Sequence, residues 1–383
     1  MKILLTTVSL DSERGGGTAE RTRLLALHLG RLSHDCAVAT IEGGDIADRL
    51  RHAGIRVFAT GFIRLRFTIP LLNPASLARH VRNAEVIHIL GYWNLLSVTT
   101  AWLAWWYDRP YVLSAAGEFA KLERPRPVDV AFHGLFGRRM IRHASALVAI
   151  TELEKTQIVE RLGVPDNRVM VVPNGVDEEG NMPDPDTALP DAPFLLFMGR
   201  LAHVKGPDLL LKAFGAVSNM HPDVHLVFAG PDFGLKRELE EIARGSGISS
   251  KVHFTGHLGI AQRAEAYRRA MALVVPSRSE AMSLVALEAA AAGKPLLLSD
   301  QCGFADAAAV GGGLVVPATI TDLRDGLLQL LRDRAELGKM GQRMKAHVAA
   351  NFGWAAIVSQ FAKKLESLRS ADGKEYHVAE AEL

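Results

Sequence analysis

Cysteine is nearly absent from this chain. Only Cys36 and Cys302 occur in 383 residues, which excludes a disulfide framework and a cysteine-built zinc cluster and fits a reducing compartment. Long apolar runs are missing too. No window approaches the roughly 18 apolar residues of a membrane-crossing helix. The nearest, residues 95–107, is too short and carries Ser97, Thr99 and Thr100. The opening MKILLTTVSL lacks the apolar core and small-residue cleavage site of a signal peptide and reads as a first strand. These absences make the cytoplasm the expected location. An excess of charge of one sign is also lacking: 44 Lys and Arg against 42 Asp and Glu leave a formal charge of +2, so bulk charge gives no case for a nucleic-acid partner. What is present is 48% apolar and 22% charged residues, a balance that builds a large core, in a length suited to two domains.

Apolar runs alternate with helix-like segments almost throughout, which predicts parallel sheets with helices on both faces. In the first half, residues 2–8, 36–40, 57–58, 86–90, 111–114, 146–150 and 169–172 read as strands, and a glycine loop at Gly15, Gly16 and Gly17 precedes a helix over residues 20–30. The polar, proline-rich stretch at 178–192 reads as a linker. The alternation then restarts, with strands at 194–198, 225–228, 252–255, 272–275, 295–299 and 314–316 and helices at 208–218, 236–246 and 260–271. The expected organisation is an α/β domain over 1–177, the linker, a second α/β domain over 193–353, an amphipathic helix over 354–370 that crosses back to the first domain, and a polar, mobile tail at 371–383. Ligands of open α/β sheets bind beyond the C-terminal strand ends, so strand-end loops of both domains should line a cleft between them.

The densest chemistry lies in residues 276–295, PSRSEAMSLVALEAAAAGKP, where Glu280 and Glu288 stand eight positions apart. A strand ending at Pro276 feeds a helix through a short polar turn. The free N–H groups and dipole of a helix start favour an anion such as a diphosphate. If the helix spanned the interval, the two carboxylates would be on the order of 12 Å apart, right for gripping two parts of one elongated ligand and too far to share a proton. Two glutamates at this spacing are also common on solvated helices, but Glu288 sits among Val285, Leu287 and alanines, where a carboxylate is paired or binds something. Arg200 and Lys205 follow another strand end, in a loop position where phosphates are received. Alone they would equally fit a solvated basic loop. With both glutamates in the same domain, a nucleoside-diphosphate site is the better reading.

Together these elements resemble the family-four retaining glycosyltransferases, the glycosyl transferase group 1 proteins. The resemblance runs through the glycines at 15–17, VVPNGVD at 171–177, GRLAHVKG at 199–206, VFAGPD at 227–232, VHFTGHL at 252–258, the 276–295 segment and the CGF to GGGLVVP run at 302–317. It implies the GT-B architecture of two Rossmann-like domains, and transfer of a sugar from a nucleotide-sugar donor to a hydroxyl with retention at the anomeric carbon. By resemblance, Arg200 and Lys205 hold the donor diphosphate, Glu288 the ribose, and Glu280 the donor sugar. Backbone at Met282, Ser283 and Leu284 approaches sugar and phosphate, and Gly16 and Gly17 let the first loop come near the donor. No cofactor or metal is expected, since the basic pair and the helix dipole supply the positive field. Asp184 and Asp186 have the letters of a metal site but lie in the linker.

The acceptor side departs from the pattern. Ala116 stands where relatives often carry a histidine, and Leu90 replaces the second histidine of a pair whose first is His88. His88, Glu118 and Asp306 remain candidates for acceptor or sugar contacts, with a buried strand-end histidine, a loop ion pair and a helix N-cap as their plainer readings. The acceptor implied is a glycan or a polyprenyl-linked glycan. Arg64, Arg66, Arg79, Arg82, Arg124, Arg126, Arg138, Arg139 and Arg142, interleaved with Ile63, Phe67, Trp102, Trp105, Trp106, Phe132 and Phe136, suit an anionic membrane surface, with core aromatics as the alternative. Two other functions fit the same architecture: a nucleotide-sugar epimerase or hydrolase, and a catalytically silent nucleotide-sugar-binding protein.

Overall fold

The computed structural model describes residues 1–60, 62–64, 68–70, 74–123, 125–177 and 189–370. Most of the expected linker, the tail at 371–383, Arg66, Phe67, Arg124 and the side chains of Ile63 and Arg64 lie outside the described residues. The chain forms two compact units, one from Met1–Asn174 with the Trp354–Ser370 helix, the other from Gly175–Gly353.

The first unit carries strands β1 (Lys2–Ser9), β2 (Asp35–Glu42), β3 (Arg56–Ala59), β4 (Phe62–Arg64), β5 (Thr68–Pro70), β6 (Val86–Leu90), β7 (Tyr111–Ser114), β8 (Ala146–Ala149) and β9 (Val169–Val171). Seven pair in parallel in the order β3-β2-β1-β6-β7-β8-β9, while β4 and β5 form a separate antiparallel hairpin. The central strands are buried on both faces, which explains why their sequences are continuous apolar runs rather than alternating ones. One face, with Leu5, Val86 and Val112, packs on the Gly16–Arg31 helix and on Trp354, Val358 and Phe361 of the C-terminal helix, so that helix belongs to the core of this unit. The Gly16–Arg31 helix starts four residues earlier than its sequence suggests. The glycines read as a loop are its first turn, and a Cβ on Gly15 would lie 2.5 Å from Ala19 Cβ.

The second unit carries β10 (Phe194–Met198), β11 (His225–Ala229), β12 (Val252–Gly256), β13 (Ala272–Val275), β14 (Leu296–Ser299) and β15 (Gly313–Val316), parallel in the order β12-β11-β10-β13-β14-β15. The order reverses between β10 and β13, whose Leu195 and Leu196 pair with Ala272 and Leu273. Such a reversal sends the connections from the two strands to opposite faces and opens a crevice at their C-terminal ends, where ligands of doubly wound sheets sit. Among the described residues no helix is long and apolar enough to cross a membrane.

Candidate nucleotide-sugar site

Both flanks of the crevice in the second unit carry the residues singled out from the sequence. β10 runs into Gly199 and Arg200, then into a single tight turn at His203–Lys205. β13 runs into Ser277, Arg278 and Glu280 and then the Leu284–Ala291 helix. Lys205 Nζ lies 2.8 Å from Glu280 Oε1, with both side chains largely buried. Ser277 Oγ donates to the other carboxylate oxygen at 2.9 Å. The two loops meet because Gly206 takes φ +67° and leaves no side chain in the way: a Cβ there would lie 2.1 Å from the Pro276 carbonyl oxygen. Arg200 sits with its guanidinium 5.2 Å from the Phe233 ring centroid, a cation–π contact. The crevice therefore holds an ammonium, a guanidinium and a carboxylate next to a helix start whose first-turn N–H groups have no partner within the helix.

The Leu284–Ala291 helix begins four residues after Glu280, so it does not span the interval between the two glutamates. Glu280 belongs to the turn. Glu288 belongs to the helix, where it accepts from Tyr267 Oη at 2.7 Å and lies 3.7 Å from Arg263. Tyr267 and Arg263 are four apart on the Ile260–Arg269 helix and so share a face, a spacing that could have flagged them in the sequence. Ser283 is fully buried and caps the helix by accepting from Ala286 N, while its own N–H donates to the Cys302 carbonyl at 3.2 Å. Met282 is buried beneath the turn and Leu284 is half-buried. Burial pushes the Cys302 thiol up to about 12, so it stays protonated, and its sulfur donates to the Val275 carbonyl at 3.2 Å.

Arg278, like Tyr267 and Arg263, was not singled out from the sequence. Its backbone N–H donates to the Val204 carbonyl at 2.8 Å, and its guanidinium donates to the His203 carbonyl at 2.6 Å and to both oxygens of Asp208 at 2.8 and 2.6 Å. It thus fastens the turn that carries Lys205 to the turn that carries Glu280. Burial works to raise the Asp208 carboxyl, but the Arg278 hydrogen bonds and charge outweigh it and hold the group below its usual range. Arg278→Ala is expected to cost about 2 kcal/mol of stability by stranding Asp208. It should also weaken nucleoside-diphosphate binding about tenfold by loosening the Lys205 turn. Thermal melts with nucleotide titration check both. Unchanged nucleotide affinity would mean that the brace serves stability alone.

The remaining candidates are placed differently. Asp306 is the first residue of the short Asp306–Ala309 helix and lies 3.2 Å from His347 Nε2; its side chain does not cap the helix. In the first unit, Gly16 and Gly17 open the Gly16–Arg31 helix, Gly16 with φ +54°. Glu118 accepts from the Tyr92 and Trp93 N–H groups at 2.6 and 3.3 Å, tying the end of β6 to the end of β7. Ala116 adopts φ +49°, and the turn it makes is held by buried Glu154, which accepts from Gly117 N and Ile150 N, both at 2.7 Å.

His88 is completely buried on β6, edge-on to Phe361 at 5.2 Å, where no ligand can reach its ring. Desolvation, with Arg21 nearby, lowers its pKa to about 3, so it is neutral when folded. The unfolded chain then takes up a proton that the native state does not as pH falls below about 6.5. The contribution of His88 to stability therefore rises with pH between about 3 and 6.5 and is level above that. Denaturant midpoints should show the natural chain losing about 2 kcal/mol more than His88→Leu between pH 7 and 5. Parallel losses would rule out a neutral, buried His88.

The family model described as "Glycosyl transferases group 1" matches residues 183–347, and the "Glycosyl transferase 4-like domain" model matches residues 16–175. The D-inositol 3-phosphate glycosyltransferase 2 of Catenulispora acidiphila is 32% identical over 326 residues, 76% of this chain and 75% of the relative. The D-inositol 3-phosphate glycosyltransferase of Nocardia farcinica is 34% identical over 304 residues, 72% of this chain and 66% of the relative, so the aligned region spans about two thirds of that protein. Among solved structures, Anabaena HepE in complex with UDP and glucose superposes with a TM-score of 0.78 at 18% identity, covering 96% of this chain and all of that one. Sucrose-phosphate synthase from Thermosynechococcus elongatus gives 0.75 at 19% identity, covering 97% of this chain. The fold is thus GT-B, and the chain belongs to the group 1 glycosyltransferases.

Proposed function

We propose that the chain moves a sugar from a nucleoside-diphosphate sugar to a hydroxyl of a glycan or lipid-linked glycan, with retention at the anomeric carbon. The observation that carries this reading is the Lys205 and Glu280 ion pair at 2.8 Å, set at the reversal point of the second sheet beside Arg200 and a helix start. Without a ligand the two charges satisfy each other. A donor diphosphate offers Lys205 a doubly anionic partner and frees the Glu280 carboxylate to accept from sugar hydroxyls. Arg200 and Lys205 then offset the charge that grows on the departing nucleotide. Glu288, oriented by Tyr267, takes the ribose hydroxyls. On this reading positive charge comes from the protein, and transfer needs no metal.

The acceptor we propose is a hydroxyl of a glycan carried on a polyprenyl-type lipid, met at the cytoplasmic face of the cell membrane, where the basic, aromatic surface of the first unit contacts anionic lipid. The experiment is a donor panel of UDP, GDP and ADP sugars, offered with polyol phosphates and lipid-linked glycans, followed by NMR. Release of free sugar without transfer would favour a hydrolase, and binding without turnover a silent binding protein.

A further inference from the structure

The first unit leaves a large apolar surface open. On the Leu95–Trp106 helix, Trp102, Trp105 and Trp106 are 53, 50 and 64% exposed and share one face by their spacing. Beside it run the Pro127–Phe132 and Arg138–His143 helices, joined through one π-turn at His133–Gly137, with Val128, Val130, Leu135 and Phe136 exposed. The π-turn lies where Tyr92 Oη meets His133 Nδ1 at 2.6 Å, and Gly137 leaves room for that ring. Between the two helical segments lies a groove of about 520 Å³, lined by Trp102, Trp105, Leu135, Phe136, Arg139 and Met140 among others. That volume is within the usual range of ligand sites.

Exposed large apolar side chains clustered at a groove mark an interaction site. The charges at its edge say what the use is. Residues 95–109 and 125–143 hold five arginines against two aspartates, and one of those, Asp129, accepts from the Arg126 N–H at 2.9 Å. A second copy of the chain docking through the same face would bring two arginine rims together. An anionic bilayer meets both features: phosphates for the arginines and chains for the tryptophans, whose rings favour the headgroup level. A ring path also leads inward. Phe136 contacts Phe132 at 5.6 Å and Phe132 contacts Trp93 at 5.3 Å, at the end of β6. We infer that this face docks on an anionic bilayer, with one lipid acyl chain seated in the groove between the tryptophan helix and the segment at 127–143.

This inference deepens the membrane setting proposed above, but its test reads lipid rather than sugar transfer, so either can fail alone. The full chain is mixed with phosphatidylethanolamine vesicles containing about a quarter phosphatidylglycerol, and with phosphatidylcholine vesicles, and floated at low and high salt. We expect co-flotation with the anionic vesicles at low salt, weakened by salt, and quenching of tryptophan emission by lipids brominated along the acyl chain. The triple variant Trp102→Ser, Trp105→Ser, Trp106→Ser and the double variant Arg139→Ala, Arg142→Ala should each lose about tenfold in partitioning while binding nucleotide normally. No flotation at low salt, full binding by the triple variant, or a lipid-free dimer that the triple variant abolishes would overturn the inference.

Discussion

Glu280→Gln is expected to lower kcat about 100-fold or more, with little change in folding stability. The substitution keeps the shape of the side chain, and its amide oxygen can still accept from Ser277 Oγ, so the turn after β13 should hold. What it removes is the negative charge that faces Lys205 at 2.8 Å. In the proposed reaction that charge orients the donor sugar through its hydroxyls while the nucleotide departs. A neutral amide accepts more weakly and balances none of the surrounding positive charge. The signature is a fall in kcat larger than any change in the affinity for free nucleoside diphosphate. A variant that turned over donor normally would remove Glu280 from the chemistry.

Lys205→Ala is expected to act first on binding. A charge-assisted hydrogen bond to a phosphate is worth about 1.5–3 kcal/mol, so affinity for a nucleoside diphosphate should fall about 10- to 100-fold. The change also leaves the Glu280 carboxylate without its cation, partly buried and now repelling the donor phosphates, so turnover should fall further than affinity alone predicts. A nucleoside without phosphates provides the control, since Lys205 should not touch it: its weak binding should be the same in both proteins. Equal losses for nucleoside and nucleoside diphosphate would locate Lys205 elsewhere than at the phosphates.

The strands that position these residues were legible because each is buried on both faces. Residues 86–90, 111–114, 194–198 and 272–275 are read directly as apolar runs, and the structure has strands with those bounds. The loops were harder. Glycines at 15–17 look like a flexible turn, yet the helix starts there: Gly15 is its N-cap, and a Cβ on Gly15 would run into Ala19 one turn on. Glu280 and Glu288 look like one helical interval, but Ser283 caps the helix between them. The hydrogen bonds of Arg278 to Asp208 and of Glu154 to Gly117 join residues far apart in sequence, and no local spacing records them. The departure at Ala116 was visible as a missing histidine. Its physical content is a left-handed turn held by Glu154 from 37 residues away.

The account rests on the crevice between β10 and β13 being a donor site that works with retention. The most direct test is to incubate the chain with an α-linked nucleoside-diphosphate sugar that it consumes and with a hydroxyl acceptor that the panel identifies, and to follow the first-formed product by proton NMR. An α-configured glycoside released in step with free nucleoside diphosphate, and lost in Glu280→Gln, is the predicted result. A β-configured first product, or turnover that persists in Glu280→Gln, would contradict it.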